Sequence, residues 1–183
     1  MDDLIGSLTA VYTAAEVTAG VVCPALGTEY TAPDGKRYKF LKNAGSTTIL
    51  AQMIVVLSDA SAFTVTTSAT LNAPQFAGCR VTGASDMPQN YSGWFQISGN
   101  ATLTLGASAN AFTANGEGVV NDDDADTGKV GKAVITTGAT VNQTTVEAAL
   151  AGLNGVFAWN QGGAISATDA DVEVNIFRSA WGS

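Results

Sequence analysis

Histidine is absent from all 183 residues. That gap removes Ser-His-Asp and Cys-His nucleophile activation, histidine-ligated zinc and the usual general base near neutral pH. Charge is scarce as well: Asp, Glu, Lys and Arg make up 13% of the chain, against roughly 25% in an average soluble protein. Positive charge is scarcer still, with 8 Lys and Arg facing 16 Asp and Glu for a net charge of -8 and a pI near 4.2. A chain of that sign cannot neutralise phosphates over a broad surface, so no nucleic-acid partner is expected. No glycine fingerprint for nucleotide phosphates is present either. Long apolar runs are missing too. The longest, Ile49–Leu57, has 9 residues and is interrupted by Gln52, about half of a bilayer span. A soluble protein with no membrane partner is expected. The opening Met1-Asp2-Asp3-Leu4-Ile5-Gly6 is acidic where an export signal needs positive charge, so no export signal is visible and synthesis in the cytoplasm is expected. Cys23 and Cys79 match no metal spacing and read as two buried free thiols in preference to a disulfide.

What is present is small and β-forming. Hydrophobic residues reach 46%, much of it alanine, alongside 20 Gly and many Thr, Ser and Asn. The length suits one domain. Short β-type runs separated by turn residues predict a mainly β fold, a compact sandwich or barrel of about ten short strands with one short helix. The runs are Val21–Leu26, Arg37–Leu41, Met53–Leu57, Phe63–Thr67, Gln75–Val81, Gly93–Ser98, Ala101–Leu105, Val130–Thr136, Val156–Trp159 and Val172–Phe177. Residues 1–20 read as an N-terminal arm or short helix, with Leu4, Leu8 and Val11 on one helical face, and residues 21–183 as a single β domain. The helix signal is Thr144 with Glu147 three residues on, a capping box, closed by Gly152. Pro33-Asp34-Gly35 predicts a tight turn with Tyr30 and Tyr38 on its flanking strands. Leu105–Thr127 is poor in large residues and reads as an extended loop.

Half of the positive charge sits in one segment. Lys36, Arg37, Lys39 and Lys42 are interleaved with Tyr38 and Phe40. Strand alternation puts Lys36, Tyr38, Phe40 and Lys42 on one face and Arg37, Lys39 and Leu41 on the other. Two readings stand: an edge strand kept from aggregating by lysines, or a docking stripe for an acidic partner. Asp122, Asp124 and Asp126 reproduce the first three alternating oxygen ligands of a calcium loop. The match then fails, because glycine falls one place late at Gly128 and Ala133 stands where the bidentate acid belongs, so an exposed acidic loop without metal is expected. Asp169, Asp171 and Glu173 alternate with Val172, Val174 and Ile176, as a strand with one solvated and one buried face requires, and this accounts for them better than a glycosidase-like carboxylate pair. Trp94, Trp159 and Trp181 read as core or interface anchors more readily than as a sugar-stacking platform. No catalytic residues and no cofactor are expected.

Phe76-Ala77-Gly78-Cys79-Arg80-Val81-Thr82-Gly83, followed by Asn90-Tyr91-Ser92-Gly93-Trp94-Phe95-Gln96-Ile97-Ser98-Gly99, resembles an Ala-Gly strand and a Gly-aromatic-x-x-aliphatic-x-Gly strand of small head proteins of tailed bacteriophages. Leu26-Gly27-Thr28-Glu29-Tyr30 with Asp34-Gly35-Lys36-Arg37-Tyr38 is similar to the same proteins. The likeness spans roughly residues 26–100. It implies a capsid decoration or cement protein: a compact β domain, often trimeric, that binds the major capsid protein on the outside of an assembled head and has no cofactor. A tail or fibre adhesion module is the alternative.

Overall fold

The computed structural model describes residues 7–19, 23–68, 75–106, 111–121, 128–132, 156–165, 167, 170–177 and 179–181. Among them are eleven strands and one helix, in the order β1 (Val11–Tyr12), α1 (Ala14–Thr18), β2 (Glu29–Thr31), β3 (Arg37–Asn43), β4 (Ile54–Asp59), β5 (Thr64–Thr66), β6 (Phe76–Cys79), β7 (Ser92–Thr104), β8 (Gly118–Asn121), β9 (Val130–Lys132), β10 (Ala158–Asn160) and β11 (Asp171–Ile176). The mainly β expectation holds, and of the two architectures named above it is the barrel that forms.

Five strands close on themselves. β3 pairs antiparallel with β7 from Arg37↔Ser98 to Lys42↔Ser92. On its other side it meets β5 in parallel at Lys42↔Thr64. β5, β4, β6 and β7 then follow as antiparallel neighbours and complete the ring. Alternation along each strand sends Leu41, Val55, Val65, Ala77 and Phe95 into one cluster with Ile49 and Met87, all fully buried. Burial of side chains of this size stabilises by about 1.5–3 kcal/mol each. The opposite face of β3 and β7 is covered as well. There Tyr38, Phe40 and Trp94 pack beneath Leu8, Tyr12 and Tyr30 from the N-terminal segment and β2.

The two predicted runs Gly93–Ser98 and Ala101–Leu105 are one strand of 13 residues. Gly99 and Asn100 continue the pairing instead of turning, because β11 supplies partners at Ile176 and Asn175. The second half of β7 thus belongs to another sheet, continuing through β11, β10, β8 and β9. A parallel bridge between Leu105 and Val130 brings β9 back to the end of β7. Leu103, Phe112, Val119, Phe157, Val172 and Val174 fill this second layer. Phe76 of the first ring stacks on Phe157 of the second at 4.0 Å.

Other expectations shift in detail. Cys23–Leu26 is irregular, since Pro24 has no N–H for a ladder and Thr28 N–H turns back to Ala25 O. β1, β2 and β8 are strands too short to show in periodicity, and β8 lies inside the stretch expected to be a loop. Within residues 1–20, Val11 is in a strand and α1 begins at Ala14, capped by Thr13, whose hydroxyl accepts from Glu16 N–H while Glu16 accepts from Thr13 N–H. The helix expected at Thr144–Ala151 lies outside the described residues. Both cysteines are free thiols, but only Cys79 is buried and Cys23 is partly exposed; burial pushes the Cys79 thiol up to about 12.

Candidate functional site

The hairpin that carries the basic segment forms as the turn chemistry predicts. Gly35 N–H donates to Ala32 O at 2.9 Å, and the Asp34 carboxylate accepts from Lys36 N–H at 3.1 Å. Tyr30 and Tyr38 are directly opposite across β2 and β3, with ring centroids 6.2 Å apart.

The segment is not the edge strand of the first reading. β3 is bonded on both sides, so no row of free backbone groups needs protection. Lys39 is only 7% exposed. Its ammonium lies 2.8 Å from a Glu29 carboxylate oxygen, 4.5 Å from the Trp181 ring centroid and 5.5 Å from that of Phe63. Both rings thus present their faces to the cation. Arg37 shares Glu29 at 3.0 Å, and Lys36 pairs with Asp34 at 3.1 Å. Three of the four charges thus stand in local ion pairs, with Asp34 and Glu29.

The Lys39 hydrogen bond is the main reason that the Glu29 carboxyl sits below its ordinary value of 4.5, helped by Arg37 and opposed by burial. A carboxyl lowered in the folded state contributes stability that is present above its unfolded pKa and is lost as pH falls through the folded one. Glu29 is half-exposed, so this contribution is modest. Glu29→Gln is expected to cost about 1–2 kcal/mol at pH 7, because Lys39 stays buried without its carboxylate. It should also flatten the decline in stability below about pH 4.5. Urea midpoints at pH 3, 5 and 7 check both effects.

The three tryptophans have three environments. Trp94 is 0% exposed, edge-to-face with Phe40 at 5.4 Å. Trp181 is half-buried, and its indole N–H donates to Ala77 O at 2.8 Å. Trp159 is 45% exposed and stacks on Phe177, itself 42% exposed, at 5.2 Å. Tyr38 is buried beside Trp94. Asp171 and Glu173 stand on the outer face of β11 with Val172, Val174 and Ile176 beneath, as the alternation required, while Asp169 lies outside the described residues. Asp122, Asp124 and Asp126 lie outside the described residues, and among the described ones no group of three or more potential ligands could hold a metal ion.

Two features escaped sequence reasoning. Arg80 is 0% exposed, and its guanidinium donates to Trp94 O at 2.8 Å, Ser85 O at 3.0 Å and Thr9 O at 3.3 Å. Nothing in Cys79-Arg80-Val81 announces a buried cation. The second is Phe177. It continues the outward series Asp171, Glu173, Asn175, and that alternation is the signal that would have placed it in solvent.

A scan against protein-family models and a search of curated proteins found no match. Among solved structures, the chain is similar to the head fiber gp8.5 N base of bacteriophage phi29. The identity is 10% and the TM-score 0.44, over 78% of this chain and 94% of that one. Among the described residues, no helix is long and apolar enough to cross a membrane.

Proposed function

We propose that this chain is a bacteriophage head protein that binds the outside of the assembled capsid and stabilises it without catalysis or cofactor. The observation that carries this reading is where its head-protein-like residues fall. Those spanning roughly 26–100 are the ones that build β2 to β7, and so the whole closed barrel. The glycines of those motifs serve its packing. A Cβ on Gly78, at φ +154°, would stand 2.9 Å from Phe95 Cβ. One on Gly93 would stand 2.8 Å from the Arg80 guanidinium and 3.1 Å from Ala10 O.

A decoration protein works by burying surface across subunit boundaries, so that pressure from packaged DNA must break additional contacts before subunits part. Many copies make weak single contacts sufficient, and a cyclic trimer avoids open-ended association. Lys39 takes no part in such docking, being enclosed; Lys36, Arg37 and Lys42 supply rim charges worth about 1 kcal/mol or less each. The protein is expected to cosediment saturably with mature, expanded heads and far more weakly with unassembled capsid subunits. In virions it should be present in hundreds of copies, measured by band intensity against the major capsid protein. Presence in a few to tens of copies, with no binding to heads, would favour a tail or fibre module.

A further inference from the structure

We propose that the outer face of the second sheet is a binding site for a neutral glycan, formed by Trp159, Phe177, Asn175 and Asn100. This inference does not depend on which part of the virion carries the chain.

The four residues are brought together by register. Trp159 on β10 is directly opposite Asn175 on β11, and Asn175 is directly opposite Asn100 on β7. Directly opposed side chains stand on the same face about 5 Å apart, so these three form a row across three strands. Phe177 follows β11 and extends the row by stacking on Trp159 at 5.2 Å with planes 23° apart. On the other flank, Gly118 of β8 lies opposite Trp159 and has no side chain to crowd the indole. The outcome is an aromatic pair, nearly half exposed, beside amides on a pleated and otherwise polar surface.

The amides are set up for hydroxyl groups. Asn175 Nδ2 donates to Asn100 Oδ1 at 2.8 Å. That leaves the Asn100 NH2 group and the Asn175 carbonyl oxygen without partners among the described residues. A sugar hydroxyl both donates and accepts, so one free N–H beside one free C=O is a complementary pair. Asn100 and Asn175 line a shallow cavity of about 450 Å³ with Asp34, Gly35, Lys36 and Gly99. A second cleft of about 300 Å³, which shares Lys36 and Asn100, adds Thr102 and Glu173, themselves hydrogen-bonded at 2.8 Å. A pyranose offers what this surface lacks and accepts what it offers: an apolar C–H face for an aromatic ring and a rim of hydroxyls for amides, a hydroxyl and carboxylates.

Charge narrows the class. Asp34 and Glu173 border the row, and Lys36, the cation that lines the cavity with the two asparagines, is paired with Asp34. Sialylated or sulfated sugars would meet repulsion, so a neutral or N-acetylated oligosaccharide is the class that fits. A protein partner fits less well. A stable interface covers about 800 Å² per side around an apolar centre, whereas here two rings stand in a polar field.

The test is titration of the folded chain with an N-acetylglucosamine trimer, maltotriose and a galactose disaccharide, with sialyllactose as the acidic control, followed by saturation-transfer NMR and indole fluorescence. Binding of at least one neutral sugar is expected at millimolar or lower concentration. Trp159→Ala and Asn175→Leu should each weaken it about tenfold, while exposed Leu50→Ala should leave it unchanged. Both site residues are on the surface, and retained melting temperature in both variants excludes misfolding as the cause. Binding of sialyllactose alone, binding insensitive to both substitutions, or no binding by any neutral sugar overturns the proposal. Loss of self-association or capsid binding in Trp159→Ala, with no sugar bound by the native chain, would instead make this face a protein interface.

Discussion

Arg80→Ala is expected to lower the stability of the fold by about 3–5 kcal/mol, the range for stripping a partner from a buried charged network. The guanidinium is fully enclosed and has no carboxylate within ion-pair distance among the described residues. Its charge is instead held by three backbone carbonyls, from Thr9, Ser85 and Trp94, and by the Phe95 ring at 5.5 Å. Burial pulls its pKa down to about 10, so it still carries its proton at neutral pH. Removing it leaves three acceptors dry and a cavity behind them. Its acceptors come from the N-terminal segment, the loop before β7 and β7 itself, so their loosening should begin at β1. Arg80→Met keeps most of the volume and removes the cost of a buried charge, and should lose less than the alanine variant. Denaturant midpoints of the two variants decide the matter: an alanine variant as stable as the native chain would mean that the carbonyls find water instead.

Trp94→Ala is the second large effect, about 3–5 kcal/mol for an enclosed tryptophan, with aromatic contacts adding about 0.5–1.5 kcal/mol per pair. Its indole meets Phe40 at 5.4 Å and Tyr30 at 6.3 Å, and Phe40 in turn meets Tyr12 at 5.8 Å. One substitution therefore opens the layer that fastens β1, β2 and β3 together. Trp94→Phe should recover most of the loss, and Trp159→Ala, with its indole nearly half in water, should cost under about 1 kcal/mol. Thermal melts of the three variants rank them. A Trp159 variant less stable than the Trp94 variant would invert the assignment of core and surface.

Much of this organisation was legible in the residues. β3, β4, β5, β6, β7 and β11 sit where β-branched and aromatic runs predicted them, since period two is a direct consequence of pleating. The Asp34-Gly35 turn followed from dihedral preference alone. Other parts depend on partners distant in the chain, which local pattern does not encode. Gly99-Asn100 looks like a turn until β11 arrives from far along the chain, with Ile176 and Asn175 opposite, to hold it extended. Lys39 looks like a surface lysine because its neutralising groups, Glu29, Phe63 and Trp181, come from three separate places. The basic segment accordingly gave only part of its arrangement to local pattern. Trp159 was recognisable as a residue of consequence, but its company of Phe177, Asn175 and Asn100 exists only once three strands are aligned.

The shared strand β7 also orders events during synthesis. The first ring needs nothing beyond Thr104 for its hydrogen-bonded circuit, so it can close while the ribosome is still adding the second half. The second ring cannot start until Asp171–Ile176 emerges to pair with Gly99–Thr104. Until then the far half of β7 projects from the closed hydrogen-bonded circuit as an unpaired edge, with Ala101, Leu103 and Leu105 uncovered. Trp181, which packs against the first ring's core and faces Lys39, emerges later still. A nascent chain stalled between those two points is the form in which this molecule is most exposed to edge-to-edge aggregation.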